Sequence, residues 1–174
     1  MYKTIYMYKP FSQCEPGTKV VTGEKIITAG DVDIFANITK NELPMFLLED
    51  AAKAYKWRTR IVPGAYTLAC TIGLEEACGI LSDVLAYVSL DELRFLAPVY
   101  PGDVIHVEIE LLSKRLTKEG DRGLIEYRWI TYNQNGEAVL QGKNRCMFKV
   151  PQESKEPTTT SVEQLVEARK KDAA

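Results

Sequence analysis

The stretch Arg60–Leu81, RIVPGAYTLACTIGLEEACGIL, constrains the fold of this chain more than any other. Pro63–Gly64 opens a run in which Ala65, Tyr66, Leu68, Ala69, Cys70, Ile72, Leu74, Ala77 and Cys78 are apolar or small. Its first three turns are apolar nearly all round, which is the pattern of a helix buried on most sides. The run is too short, and too interrupted by Thr67, Thr71, Glu75 and Glu76, to span a bilayer. Ala65, Ala69, Cys70 and Gly73 let other backbone approach closely. The pattern predicts one central helix with the rest of the chain wrapped around it.

The wrapping is legible on both sides of that helix. Lys19–Ile27 (KVVTGEKII) is rich in β-branched residues and reads as one short strand, weakened by Gly23. Thr28, with Asp31 three residues on, is close to a capping box and starts a helix over Gly30–Thr39. Helical spacing there turns Val32, Phe35, Ala36 and Ile38 toward a core. Pro44 breaks the pattern and restricts Leu43. Phe46–Tyr55 then predicts one further helix, with Glu49 and Lys53 as an i,i+4 pair. After Gly79 the period changes. Leu85–Phe95 reads as a strand, and Ala97–Asp103 as a turn in which Pro101 presets φ and Gly102 supplies a positive φ. Val104–Leu112 alternates, with Ile105, Val107, Ile109 and Leu111 on one face and His106, Glu108 and Glu110 on the other. Gly123–Asn133 and Glu137–Val150 are joined by a hairpin signal, Asn133-Gln134-Asn135-Gly136. Short connections make these last strands consecutive and antiparallel. The fold class is α+β: an antiparallel sheet curled over a long helix.

At 174 residues the chain has room for one core, read as a single domain over residues 1–150. Residues 151–174 read as a polar linker followed by a short C-terminal helix from Ser161. A net charge of -2 gives no basic field for nucleic acid or an anionic membrane. MYKTIYMYKPFS has no apolar segment of the kind that directs secretion. Cys14, Cys70, Cys78 and Cys146 share no CxxC spacing, so a reduced, cytoplasmic protein is the expectation. With His106 as the single histidine, no metal-ligand set is in sight. No GxGxxG, GxxxxGK[ST] or GxSxG motif appears, which removes dinucleotide, P-loop and hydrolase-elbow sites.

Thr28-Ala29-Gly30-Asp31 with Phe35-Ala36, then Arg60-Ile61-Val62 and Gly64, then Phe95-Leu96-Ala97-Pro98-Val99-x-Pro101-Gly102-Asp103, resembles the MaoC-like hydratases and dehydratases of the hot-dog fold. The likeness runs from about residue 12 to residue 150. It implies a hot-dog sheet around a central helix, assembled as a homodimer or as a heteromer with a catalytic hot-dog subunit. It also implies a thioester ligand, of coenzyme A or of acyl carrier protein, with no tightly bound cofactor and coenzyme A present only as part of the substrate. The usual chemistry is water addition to an enoyl thioester, or its reverse, as in fatty acid metabolism.

The motif for that chemistry is D-x-N-P-x-H, followed by H-G at the start of the central helix. Here the corresponding segment is Asn41-Glu42-Leu43-Pro44-Met45-Phe46. Asn41 stands for the Asp, Leu43 for the Asn and Phe46 for the His; Pro63 stands for the second His. Neither an amide nor a phenyl ring exchanges a proton near neutral pH. What carries over is Gly64, whose backbone N–H in the family faces the thioester carbonyl from a helix N-terminus; the alternative is that it merely permits the turn after Pro63. Pro63, Asn41 and Phe46 are the further substrate-binding candidates. Glu42 is the one candidate acid/base, against a solvated loop residue. Glu49 and Asp50 read as an exposed helix face. Glu75 and Glu76 lie where hot-dog thioesterases carry an acid, although late in the helix. His106 is expected to face solvent. Arg58 and Arg60, with Lys56 beside Trp57, are candidates for the phosphates of coenzyme A or the acidic face of a carrier protein. Three functions follow: a thioester-binding protein without hydratase activity, a hydratase with a rearranged acid/base pair, or a thioesterase.

Overall fold

The computed structural model describes residues 10–150. The expected linker and C-terminal helix lie outside the described residues. The chain runs through β1 (Lys19–Val21), β2 (Lys25–Ile26), α1 (Ala29–Thr39), α2 (Pro44–Leu47), α3 (Glu49–Ala54) and α4 (Gly64–Ala77), then β3 (Val84–Phe95), β4 (Val104–Leu116), β5 (Arg122–Tyr132) and β6 (Ala138–Lys149).

The strands form one antiparallel sheet in the order β1-β4-β5-β6-β3, with β2 also on β4. The single strand expected over residues 19–27 is two: the chain leaves the ladder at Thr22, whose hydroxyl accepts from Val107 N–H at 3.0 Å, and rejoins it at Lys25. β4, β5 and β6 are consecutive neighbours, as the short connections require. Their alternation sorts one face inward: Ile105, Val107, Ile109 and Leu111 from β4; Ile125, Tyr127, Trp129 and Thr131 from β5; Leu140, Asn144, Cys146 and Phe148 from β6. β3 pairs only with β6 among the described residues and forms the sheet edge.

α4 packs across the inner face, but it is not buried on most sides. Thr67, Cys70, Thr71, Leu74 and Glu75 are buried, whereas Ala65, Ala69, Gly73, Glu76 and Ala77 are exposed. Ala65, Ala69, Gly73 and Ala77 form a stripe of small residues at intervals of four that is exposed among the described residues. Apolar content all round predicted burial all round, yet one sheet covers only one side of a helix. The buried side also carries polar groups. Thr71 Oγ1 shares a 2.8 Å hydrogen bond with Thr131 Oγ1 and donates to Thr67 O.

α1 begins with the expected cap. Thr28 Oγ1 accepts from Asp31 N–H at 3.1 Å, and Asp31 Oδ2 accepts from Thr28 N–H at 3.0 Å. Val32 and Ala36 face the core and Phe35 packs on Tyr66, but Ile38 is 72% exposed. In the last turn only Ala36 is buried; Asn37, Ile38 and Thr39 are exposed among the described residues. The helix expected over Phe46–Tyr55 is split at extended Leu48, and Glu49 takes a hydrogen bond from Thr59 Oγ1 rather than pairing with Lys53. His106 is half-buried and stacks on Tyr132 with ring centroids 5.7 Å apart.

Candidate functional site

Three loops meet at the start of α4. Val62 N–H donates to Val99 O at 2.8 Å, and Ile61 N–H to Met45 O at 3.2 Å. The Phe95–Asp103 motif is tied down by its last residue. Buried Asp103 accepts from Tyr100 N–H at 2.8 Å, Gln134 Nε2 at 3.0 Å and Arg58 Nη2 at 2.9 Å. Gly102 provides the left-handed corner at φ 97°. The motif is therefore a brace that holds the loop before α4 against the sheet.

Between these loops lies a cavity of about 530 Å³. Its walls are Met45, Phe46, Trp57, Ile61, Val62 and the stretch Phe95–Val99, with Val139 behind them. Gly64, Ala65 and Thr67, the opening turn of α4, form the end wall. Pro63 is the residue before the helix and offers no side-chain cap; its carbonyl takes the Tyr66 N–H at 2.9 Å and the Thr67 N–H at 3.1 Å, which leaves the Gly64 and Ala65 amides at the positive end of the helix dipole for an acceptor. Among the lining residues the only polar side-chain groups are the Thr67 hydroxyl and the Trp57 indole N–H; none is a carboxylate, an imidazole or a thiol. Such a pocket can orient a carbonyl. It supplies no group to move a proton.

The candidates from sequence separate clearly. Gly64 and Phe46 line the cavity, and Pro63 is buried beside it. Asn41 is half-buried, its N–H donating to Ala36 O at 3.1 Å; it is not among the lining residues. Glu42 is exposed, 3.8 Å from Lys40 Nζ, and does not line the cavity either. Both arginines are paired with carboxylates of this chain. Arg58 bonds Asp103 and lies 4.1 Å over the Tyr100 ring, with 61% of its side chain exposed. Arg60 bonds Asp33 at 2.7 Å and Leu47 O at 3.2 Å, and is largely covered. Pairing across loops of this kind leaves no trace in the local sequence.

Glu75 holds the main surprise. It is fully buried, about three turns along α4 from Gly64, and faces the sheet. Tyr127 Oη donates to its Oε2 at 2.9 Å and Asn144 Nδ2 approaches at 3.3 Å. Asn144 Nδ2 also donates to Tyr127 Oη at 2.9 Å. Glu75 Oε1 and Asn144 Oδ1, both buried, have no hydrogen-bond partner among the described residues. Burial pushes the Glu75 carboxyl up to about 8, against the pull of the Tyr127 and Asn144 hydrogen bonds. The same burial pushes the neighbouring Cys146 thiol up to about 12. The thioesterase candidate is thus an inward polar cluster, while Glu76 is exposed.

A larger cleft, about 730 Å³, lies on the outer face of the sheet over Glu108, Glu110, Arg128 and Lys143. Its charges include the cross-strand pair Arg128–Glu110 at 2.6 Å, and Gly64 is not part of it. No group of three or more His, Cys, Asp or Glu side chains among the described residues is arranged to hold a metal ion. No described helix is long and apolar enough to cross a membrane.

The chain is similar to a 3-hydroxybutyryl-CoA dehydratase of Methylorubrum extorquens, at 32% identity over 137 residues, covering 74% of this chain and 76% of the relative. It is also similar to protein MaoC of Klebsiella aerogenes, at 29% identity over 118 residues. That match covers 68% of this chain but 34% of the Klebsiella protein, so this chain spans about a third of that relative. A solved Mycobacterium tuberculosis protein with a double hot-dog fold superposes with a TM-score of 0.76 at 19% identity, covering 85% of this chain and 46% of that one. The helix laid in a curled antiparallel sheet is the hot-dog fold. The MaoC like domain model matches residues 11–133, a span that includes the capped α1, the loop before α4 and the Asp103 brace, and the chain belongs to that family.

Proposed function

We propose that this chain binds acyl thioesters of coenzyme A or acyl carrier protein in the cavity at Gly64, and that it does not itself add or remove water. The observation that carries the reading is the lining: Gly64 and Ala65, with their uncapped amides, at the start of α4, apolar and aromatic walls, and no titratable side chain. Open N–H groups at a helix N-terminus suit a thioester carbonyl, and they stabilise negative charge developing on it. Hydration needs in addition a group that accepts a proton from water and one that returns it to carbon. Phe46, in the position of the motif histidine, is buried in the wall instead. Arg58, the more exposed of the two loop arginines, is the proposed contact for the coenzyme A phosphates.

The proposed assembly is a homodimer or a heteromer with a catalytic hot-dog chain. β3 has a free edge among the described residues, and Leu85, Tyr87, Val88 and Leu90 are exposed along it. A long edge with apolar side chains is a pairing surface unless something covers it. In the heteromer, the catalytic hot-dog chain placed there would supply the acid/base pair that this one lacks.

The test is hydration of crotonyl-CoA and of a longer enoyl-CoA by the purified protein, with binding of both ligands followed in parallel. Binding without turnover is expected. Turnover at about 1 per second or faster would refute the reading; Glu42→Gln would then show whether that carboxylate is the rearranged base.

A further inference from the structure

Phe95 is the last residue of β3, opposite Leu140 on β6, and Leu96 N–H immediately after it donates to Val139 O at 2.9 Å. Its backbone is therefore held by the sheet, and its side chain reaches across to the start of α4. There the ring lies directly on Gly64. A Cβ built on Gly64 would stand 2.5, 2.8 and 3.2 Å from three carbons of the Phe95 ring, and at the first two distances the ring would have to move. Gly64 has no positive φ, so the absence of a side chain at this position answers to the ring and not to the backbone. Yet Phe95 is 58% exposed and lines the cavity, so the ring is no part of the closed core.

An acceptor on the first-turn amides of α4 must lie alongside that ring. We infer that Phe95 is a specificity-determining residue: its ring fills the space beside the Gly64 amide, so the site takes acyl thioesters unbranched next to the carbonyl and excludes those with bulk at the α-carbon. The inference rests on the thioester reading above. A straight chain continues from the carbonyl into the apolar space between Met45, Trp57 and Val139, whereas a ring or branch at the α-carbon competes with Phe95 for the same volume. Steric exclusion by one aromatic wall is worth about tenfold or more in relative affinity.

The experiment is calorimetric titration of the full chain, wild type and Phe95→Ala, with butyryl-CoA, benzoyl-CoA and free coenzyme A. Phe95→Ala is expected to raise the affinity for benzoyl-CoA relative to butyryl-CoA about tenfold, with free coenzyme A unchanged. An unchanged ratio, with the wild type binding butyryl-CoA, overturns the inference and leaves the thioester reading standing. A wild type that binds neither thioester overturns both. The shared volume is tested without any ligand by thermal unfolding. Gly64→Ala is expected to lower the Tm in the wild-type background and to do so much less alongside Phe95→Ala. Equal losses in the two backgrounds would overturn the inference too. Phe95→Leu, which keeps an apolar side chain, is expected to give a smaller shift of the same sign and serves if Phe95→Ala does not fold.

Discussion

Replacing Glu75 with Gln should change how the stability of this protein depends on pH. The carboxyl is held in the core by Tyr127 from β5 and Asn144 from β6, with Tyr87 on β3, Cys146 on β6, Glu76 on its own helix and Cys78 just after it as the other ionisable neighbours. Its value rises from 4.5 to about 8 on folding, and each unit corresponds to about 1.4 kcal/mol. The folded state holds the proton more tightly than the unfolded state. Below pH 4.5 both states are protonated and the group makes no difference; from there to about pH 8 the unfolded chain releases the proton first, so stability falls as pH rises. Over the whole window the loss is on the order of 5 kcal/mol, a large share of a domain's stability. Glutamine has nearly the same shape and cannot ionise. Urea unfolding in buffers from about pH 5 to 8 should show wild-type stability falling relative to Glu75→Gln, with the variant the more stable of the two at the alkaline end. Parallel profiles across that window would refute the reasoning, because they would mean that Glu75 titrates alike in both states.

The cap of α1 gives a more local test. Thr28→Ala removes the hydroxyl that accepts from Asp31 N–H and should cost about 1 kcal/mol in the same unfolding assay, with no effect on thioester binding. The free edge of β3 gives another: Val88→Lys with Leu90→Lys places charge on the proposed pairing surface and should convert a dimer to a monomer by light scattering while the circular dichroism spectrum is kept. A wild-type protein that is already monomeric when purified alone would sink the homodimer and leave the heteromer.

Much of this molecule was written locally. The inward faces of β4 and β5 follow from alternation, because successive strand side chains point to opposite sides whatever the strand pairs with. The start of α1 follows from Thr28 and Asp31, whose side chains bond to amides three residues away. The corner at Pro101–Gly102 needs only its own φ values. The family likeness carried by Thr28–Ala36, Arg60–Gly64 and Phe95–Asp103 was also legible, since these are short runs with fixed spacing. Long-range closure decided the rest. β3 crosses to pair with β6 instead of the strand that follows it, which no periodicity encodes, and this leaves its apolar side chains on an edge that no other described strand pairs with. Glu75 and Glu76 are neighbours of identical chemistry, and a rotation of about 100° around the helix puts one in the core and the other in solvent. Arg58 and Arg60 meet Asp103 and Asp33 only once the loops have closed around the start of α4. Phe95 comes to lie on Gly64, 31 positions earlier in the chain, for the same reason: spacing within a segment sets which way a side chain points, and only the packed sheet sets what it meets.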